Sequence, residues 1–260
     1  MKRLPYLTFM LLLALVVPLR ASPPIGAVVQ SWHYDAATNT ATATIANTSD
    51  KDITAFNISL TETYADHSVT NHELLVDMLS AVELVQKVKG TSDEDRIRRK
   101  FGNGTLAAYQ TRDEVFHYNN GKVLTAFQGT IDVVAYLDGS AEATNTAALE
   151  RMREHRNADL RSHQKANQIL KEVLADPTIQ APTEEAIKRL ENLLRVYKAQ
   201  RHYTVDIEPS LIEAVAHDLK IAAAQHLGGE AEVLQRYVAE KDQHISMLSK
   251  HAQLKTGAAQ

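Results

Sequence analysis

Histidine is the side chain with the most chemical scope in this sequence, which holds eleven of them and no cysteine. A metal site needs several imidazole, carboxylate or thiolate ligands gathered on one ion. His72-Glu73 lacks a second histidine four residues after the first, so the helical His-Glu-x-x-His arrangement of zinc proteases fails. His244 and His251 stand seven residues apart and share one face of a helix; His155 and His163 do so less well. Two imidazoles two turns apart make no site without further ligands, so the expectation is histidines on helix surfaces. Asp132, Asp138 and Glu142 could approach a cation, but Gly139 marks them as turn and strand-edge residues.

Nucleophilic chemistry is no better signalled. A Ser-His-Asp set can be assembled from residues far apart in sequence, but no Gly-x-Ser-x-Gly elbow occurs. Lys87-Val-Lys-Gly90-Thr91 lacks the spacing of a phosphate-binding loop. Trp32, Tyr34, Phe56 and Tyr64 either line a groove or fill a core; large side chains between two sheets favour the core. The reading therefore assigns no catalytic, cofactor-binding or metal-binding residue and no cofactor.

The elements that would position any site fall into two halves. Residues 40–46 alternate, with Ala41, Ala43 and Ile45 on one face and Thr42 and Thr44 on the other, the pattern of a half-buried strand. Asn47 to Asp52 is a polar turn, and Phe56, Ile58 and Leu60 then share one face of a strand over 54–64. The two read as a hairpin, with Ile53 out of phase and so a bulge or a kink at the second strand's start. A first strand is expected over 25–34. Residues 65–72 read as a loop, and 73–89 as an inserted helix carrying Leu74, Leu75, Met78, Leu79, Val82 and Val85, with a pair of strands as the alternative. Gly90 to Lys100 is a solvated loop or short helix with local ion pairs. Further strands are expected at 106–118, 122–127, 130–137 and 140–143, with Asn119-Asn120-Gly121 as a hairpin turn.

From Thr144 the β-branched alternation gives way to Ala, Leu, Glu, Lys, Arg and Gln. Four helices are expected. The first runs from 146 to 175, with a polar middle, Arg151 to Lys165, projecting into solvent. The second follows Pro182 with Thr183 as its cap, the third begins near Pro209, and the fourth carries Leu234, Val238, Ile245 and Leu248. The fold class is thus α+β: an antiparallel β-sandwich over 22–143 with the helix 73–89 inserted, then an α-helical region over 144–260 forming a bundle or hairpins. The apolar stripes of these helices either bury on each other or meet a partner.

Lys2 and Arg3 precede an apolar run from Leu7 to Leu19, with Ala21 behind it. That is the layout of a secretory signal peptide over 1–21, with an uncleaved anchor as the rival. The run is short for a spanning helix, which needs about 20 apolar residues. Without cysteine there is no disulfide, no thiolate site and no lipidated N-terminus. Residues 22–143 carry nine basic against sixteen acidic side chains, a net of −7, and residues 144–260 carry sixteen of each. An acidic mature chain is a poor partner for nucleic acid.

The stretch Ile45-Ala-Asn-Thr-Ser-Asp-Lys-Asp-Ile-Thr-Ala-Phe-Asn-Ile-Ser-Leu-Thr-Glu-Thr-Tyr-Ala-Asp66 resembles the strand–turn–strand core of bacterial exported FxLYD-like, immunoglobulin-like domains. Tyr136-Leu137-Asp138-Gly139 is similar to their later strand and acidic-Gly turn. The Phe-x-Leu-Tyr-Asp string itself is absent, and the helical tail lies outside the pattern. The resemblance implies an Ig-like sandwich in a secreted or periplasmic protein, with a binding or structural role and no catalytic residues. The expectation is a non-enzymatic module that meets a protein or cell-envelope ligand. An extracytoplasmic hydrolase with a dispersed site, and self-assembly through the C-terminal helices, are the alternatives.

Overall fold

The structure is a computed structural model that describes residues 25–118, 122–199, 209–225 and 229–256. Its N-terminal half builds two sheets. Strands β1 (Ala27–Asp35), β2 (Thr40–Asn47) and β5 (Thr111–His117) form an antiparallel sheet in the order β1-β2-β5. Strands β3 (Ile53–Tyr64), β4 (Val69–Asp77), β6 (Leu124–Tyr136), β7 (Ser140–Ala143) and β8 (Lys255–Thr256) form the other, in the order β4-β3-β6-β7-β8. The β7–β8 pair is parallel and the rest of that sheet is antiparallel.

The alternation in β2 does what its pattern requires. Ala41, Ala43 and Ile45 are buried while the intervening threonines are half-exposed. Ala43 and Ile45 meet Phe56, Ile58 and Leu60 of β3 and Val134 of β6 in one core cluster shared by both sheets. The register of β3 on β6 shifts between Ile53 and Ala55, where the out-of-phase Ile53 called for a bulge or a kink.

The pairing differs from the expected hairpins. β2 pairs with β1 and β5, whereas β3 pairs with β4 and β6. The polar turn after Asn47 therefore carries the chain from one sheet to the other. A period-two pattern fixes which face of a strand is buried; it says nothing about which strand lies alongside. Asn119-Asn120-Gly121 lies outside the described residues, and its flanking strands β5 and β6 sit in different sheets. The two strands expected at 122–127 and 130–137 are one, β6.

Residues 73–77 are strand, not helix. Leu74 and Val76 of β4 pack on the inter-sheet core, while Leu75 packs on the other face of the sheet. An edge strand with apolar residues on both faces, followed directly by a helix, imitates helical spacing. The helix is shorter than 73–89: α1 spans Leu79–Lys87 and buries Leu79, Val82 and Val85. Helix α2 (Glu94–Phe101) carries the expected local pairs, Arg98 with Glu94 at 2.8 Å and Arg96 with Asp93 at 3.1 Å.

Helix α3 covers Thr146–Ala175, the span expected from the sequence. Asn145 Oδ1 accepts from the amides of Ala147 and Ala148 at 3.0 and 3.2 Å, satisfying two otherwise orphaned donors. At ~1.5 Å rise per residue the helix is about 45 Å long, and its two ends do different work. Ala148, Leu149 and Met152 pack on Ala55, Val133 and Ala135, on the face of the five-stranded sheet turned away from the other sheet. This explains why β3 is buried on both faces near its start. Ala166, Leu170 and Val173 join a second cluster with Ala186 and Leu190 of α4 (Pro182–Ala199), Ile212 and Leu219 of α5 (Pro209–Gln225), and Leu234 and Val238 of α6 (Glu230–Ala252). The stripes of the C-terminal helices are thus buried on each other. Thr183 lies inside α4, not at its cap, and donates to the carbonyl of Glu230 at 2.7 Å.

The middle of α3 does not project into solvent. Met152 and Arg156 are each 1% exposed, and Ala158 and Ser162 are also buried. Arg156 is drawn inward by Asp77, at the end of β4, to which its Nε donates at 2.7 Å. Among the described residues no helix is long and apolar enough to cross a membrane.

Candidate functional site

Strand β3 continues its inward alternation past Phe56, Ile58 and Leu60 to positions 62 and 64. Position 64 is a buried tyrosine and position 62 is a glutamate, 1% exposed. A carboxylate at a core register costs free energy unless its oxygens are satisfied. Tyr64 Oη donates to Glu62 Oε2 at 2.6 Å, and Tyr118 Oη, from the chain just beyond β5, donates to Oε1 at 2.5 Å. Burial and then the Glu62 carboxylate push the Tyr118 phenol above its ordinary pKa, so it stays a donor. The imidazole of His72 of β4 stands beside Glu62, with Nε2 at 3.4 Å from Oε1 and a side chain 43% exposed.

These groups floor a cleft of about 370 Å³ between the edge strands β4 and β5, rimmed by Thr70, His117 and Lys122. Lys122 Nζ lies 5.2 Å above the ring of Tyr64, 3.1 Å from Asp66 and 3.0 Å from Ser68 Oγ. Asp66 is held at a pKa of about 2, first by the hydrogen bonds of Ser68 and then by Lys122.

The same end of the sheets has an apolar side. Tyr34, Tyr64, Leu124, Phe116, Tyr118 and Phe127 pack together there. Trp32 meets Phe127 edge-on, with ring centroids 4.2 Å apart. Gly129 makes this contact available: a Cβ on it would lie 2.5 Å from Trp32 Cζ2. Trp32, Tyr34, Leu124 and Phe127 line a groove of about 210 Å³ between β1 and the N-terminal part of β6. Of the four aromatics with a choice between groove and core, Phe56 and Tyr64 are buried and Trp32 and Tyr34 line the groove.

The histidines disperse. His72 reaches Glu62, while its neighbour Glu73 pairs with Arg151. His244 and His251 do share a face of α6, but it is a buried one, each being 7% exposed. His244 Nδ1 lies 2.5 Å from Glu83 Oε2 of α1, close but off the direction of a ring hydrogen bond. The ring of His163 stands edge-on to it at 4.3 Å. Burial, then His244 and Lys241, lower the His163 pKa to about 3. His244 and Glu83 line a cleft of about 540 Å³ between α1 and α6, together with Lys87, Glu240 and Lys241 and with no hydroxyl side chain. Burial lowers the Lys241 pKa. His155 lies 3.7 Å from Asp159.

The three acidic residues near the end of β6 serve separate ends. Asp132 accepts from Ser59 Oγ, Asp138 pairs with Lys51 at 2.8 Å, and Glu142 accepts from the Gly26 amide at 2.8 Å. In the Lys87–Thr91 segment the Gly90 amide donates to Glu94 at 2.6 Å, so that amide already serves a carboxylate. Among the described residues no group of three or more His, Asp or Glu is placed to hold a metal ion.

No family model and no curated protein matches the chain. Among solved structures, one of a hypothetical protein from Peptoclostridium difficile 630 is similar at a TM-score of 0.27 and 11% identity, over 49% of this chain and 88% of that one.

Proposed function

We propose that this chain is an extracytoplasmic, non-enzymatic binding module, an Ig-like sandwich carried on a helical bundle, whose ligand engages the tyrosine-rich end of the sheets. The observation that carries the reading is Glu62. A carboxylate occupies a core register, held by neutral phenols beside an open cleft. A structural core gains nothing from that arrangement over leucine, because buried polar groups at best break even when satisfied. Export is supported by the Lys2-Arg3 and Leu7–Leu19 pattern; the N-terminus of the protein recovered from the envelope, read by mass spectrometry, tests it.

For binding, the immobilised protein is exposed to fractionated envelope extract beside a Glu62→Gln variant. A component retained by the wild type and released by the variant is the expected result. Equal retention by both overturns the reading.

The His244–Glu83 contact favours one alternative, an extracytoplasmic hydrolase working from the cleft between α1 and α6. Turnover of chromogenic esters or amides that disappears in His244→Gln would establish it; no turnover above the solvent rate discards it.

A further inference from the structure

We infer that the cleft between β4 and β5 binds a primary alkylammonium group, with the Glu62 carboxylate receiving its charge and the rings of Tyr64 and Tyr118 flanking its alkyl stem. The inference rests on the reading of this end of the sheets as the ligand site, and adds the chemical class of the ligand.

Three features of the cleft select a cation. The two hydrogen bonds to Glu62 come from phenols, which satisfy its oxygens without cancelling its charge. Among the described residues no lysine or arginine lies within ion-pair distance of Glu62; the titratable nitrogen nearest it is His72 Nε2, at 3.4 Å. A buried carboxylate attracts a cation more strongly than a surface one, because little water stands between them. The half of the chain around it is itself acidic, at net −7 over residues 22–143, which draws cations and turns anions away.

Two features select an ammonium on an alkyl chain. Tyr64 and Tyr118 are among the lining residues, and an aromatic face favours a cation within about 6 Å of its centre. The chain demonstrates the contact on itself, since Lys122 Nζ stands 5.2 Å above Tyr64 at the mouth. Lys122 is held there by Asp66 and Ser68, leaving Glu62 deeper in the cleft for a guest. A volume of about 370 Å³ takes a lysine-like side chain with room for water. Such a group arrives either on the lysine of a polypeptide or as a free polyamine; both present the same nitrogen.

The test titrates the whole protein at pH 7.5 and low salt, following backbone amide shifts, with cadaverine and with acetyl-Gly-Lys-Gly-amide. Acetyl-Gly-norleucine-Gly-amide, which lacks the nitrogen, is the control. Saturable shifts at Glu62, Tyr64 and Tyr118 with either amine and none with the norleucine peptide are expected. Stronger binding of one amine identifies its source. Glu62→Gln should weaken binding about tenfold or more, the usual scale for a charge-assisted hydrogen bond.

Should Glu62→Gln fail to fold, Thr70→Lys serves instead. Thr70 is exposed on β4 and lines the cleft, so the new side chain fills it in cis and should abolish binding with Glu62 itself unsubstituted. Absence of saturable shifts with both amines, or binding unchanged in Glu62→Gln or Thr70→Lys, overturns the inference. If an envelope component is still lost on Glu62→Gln while neither amine binds, the site reading stands and only the ammonium falls. If nothing is lost on that substitution and neither amine binds, both fall.

Discussion

Arg156 Nε and Asp77 Oδ2 meet at 2.7 Å in the seam where α3 crosses the five-stranded sheet, with the arginine 1% exposed. The same guanidinium reaches Thr54 Oγ1 and the carbonyl of His251, each at 3.2 Å, and so joins β3, β4 and the end of α6. Asp77 Oδ1 also accepts from the Leu79 amide at 3.0 Å at the start of α1. One ion pair thus ties both halves of the chain. Breaking a buried pair from one side leaves a bare charge and costs about 3–5 kcal/mol, whereas replacing both partners with apolar residues is often near neutral. Asp77→Ala is expected to lower the urea midpoint far more than the double change Asp77→Leu with Arg156→Met. A double variant as unstable as the single one would show that the pair itself, not the uncancelled charge, holds the seam.

His163 makes stability depend on pH in a defined direction. Its folded pKa of about 3 lies below the ordinary value of 6.5, chiefly because burial disfavours the charged ring. The unfolded chain therefore binds the proton more readily. The stability owed to the neutral ring is complete above about pH 6.5 and is lost as pH falls from there towards 3. His251 is shifted the same way by burial. Carboxylates with depressed pKa values, such as Asp66 and Asp138 at about 2, add their own acid loss mainly below the ordinary carboxylate range. The comparison that isolates the histidine is therefore between pH 7.5 and pH 5. His163→Leu should lose less stability over that interval than the wild type, in urea titrations at the two values. Equal losses would place His163 in solvent.

What could be read from the residues follows from what each pattern encodes. Asn145 and Asp176-Pro177 mark both ends of α3, because caps act locally. Thr40–Asn47 reads as a strand because alternation is also local. Partners are not local: nothing between Asn47 and Asp52 says that β2 and β3 belong to different sheets. The candidate site was one step away. Carrying the alternation of Phe56, Ile58 and Leu60 forward reaches Glu62, an acid where the period demands an apolar residue. That mismatch is the available signal; the contribution of Tyr118 is not, since it comes from 56 residues away. Arg156 was hidden for the same reason, in a largely polar run from which Asp77, 79 residues distant, draws it inward.

The groove beside β1 rests on a missing methyl. A Cβ at Gly129 would stand 2.5 Å from Trp32 Cζ2 and 3.0 Å from Leu60 Cδ2, so Gly129→Ala must displace the indole. Overpacking of this kind costs roughly 1–3 kcal/mol. Trp32 is the chain's single tryptophan, so its emission reports on this groove alone. The variant should show red-shifted emission, as the ring leaves Phe127 for water, together with a lower unfolding midpoint. An unchanged spectrum would mean that the ring does not lie over β6.

Self-association through the C-terminal helices requires an apolar face left over after the bundle forms. Leu190, Leu219 and Leu234 are each 0% exposed, and Tyr237 Oη donates to the carbonyl of Val215 at 3.1 Å within the same cluster. These helices turn charged pairs outward, Lys220 with Glu191 at 2.6 Å and Lys198 with Glu213 at 3.1 Å on the α4–α5 face, and expose Val196 and Ile221. Exposed pairs of this kind hold little energy, roughly 0–1 kcal/mol, and Val196 and Ile221 are the only large apolar side chains that the described residues of α4, α5 and α6 expose, a small area for a second copy. The expected species is a monomer at micromolar concentration by size-exclusion chromatography with light scattering. Leu219→Asn, which puts an amide into the bundle, should lower the unfolding midpoint without changing the mass of the folded protein. A dimer in the wild type that this substitution splits into folded monomers would mean that the stripe faces a second chain.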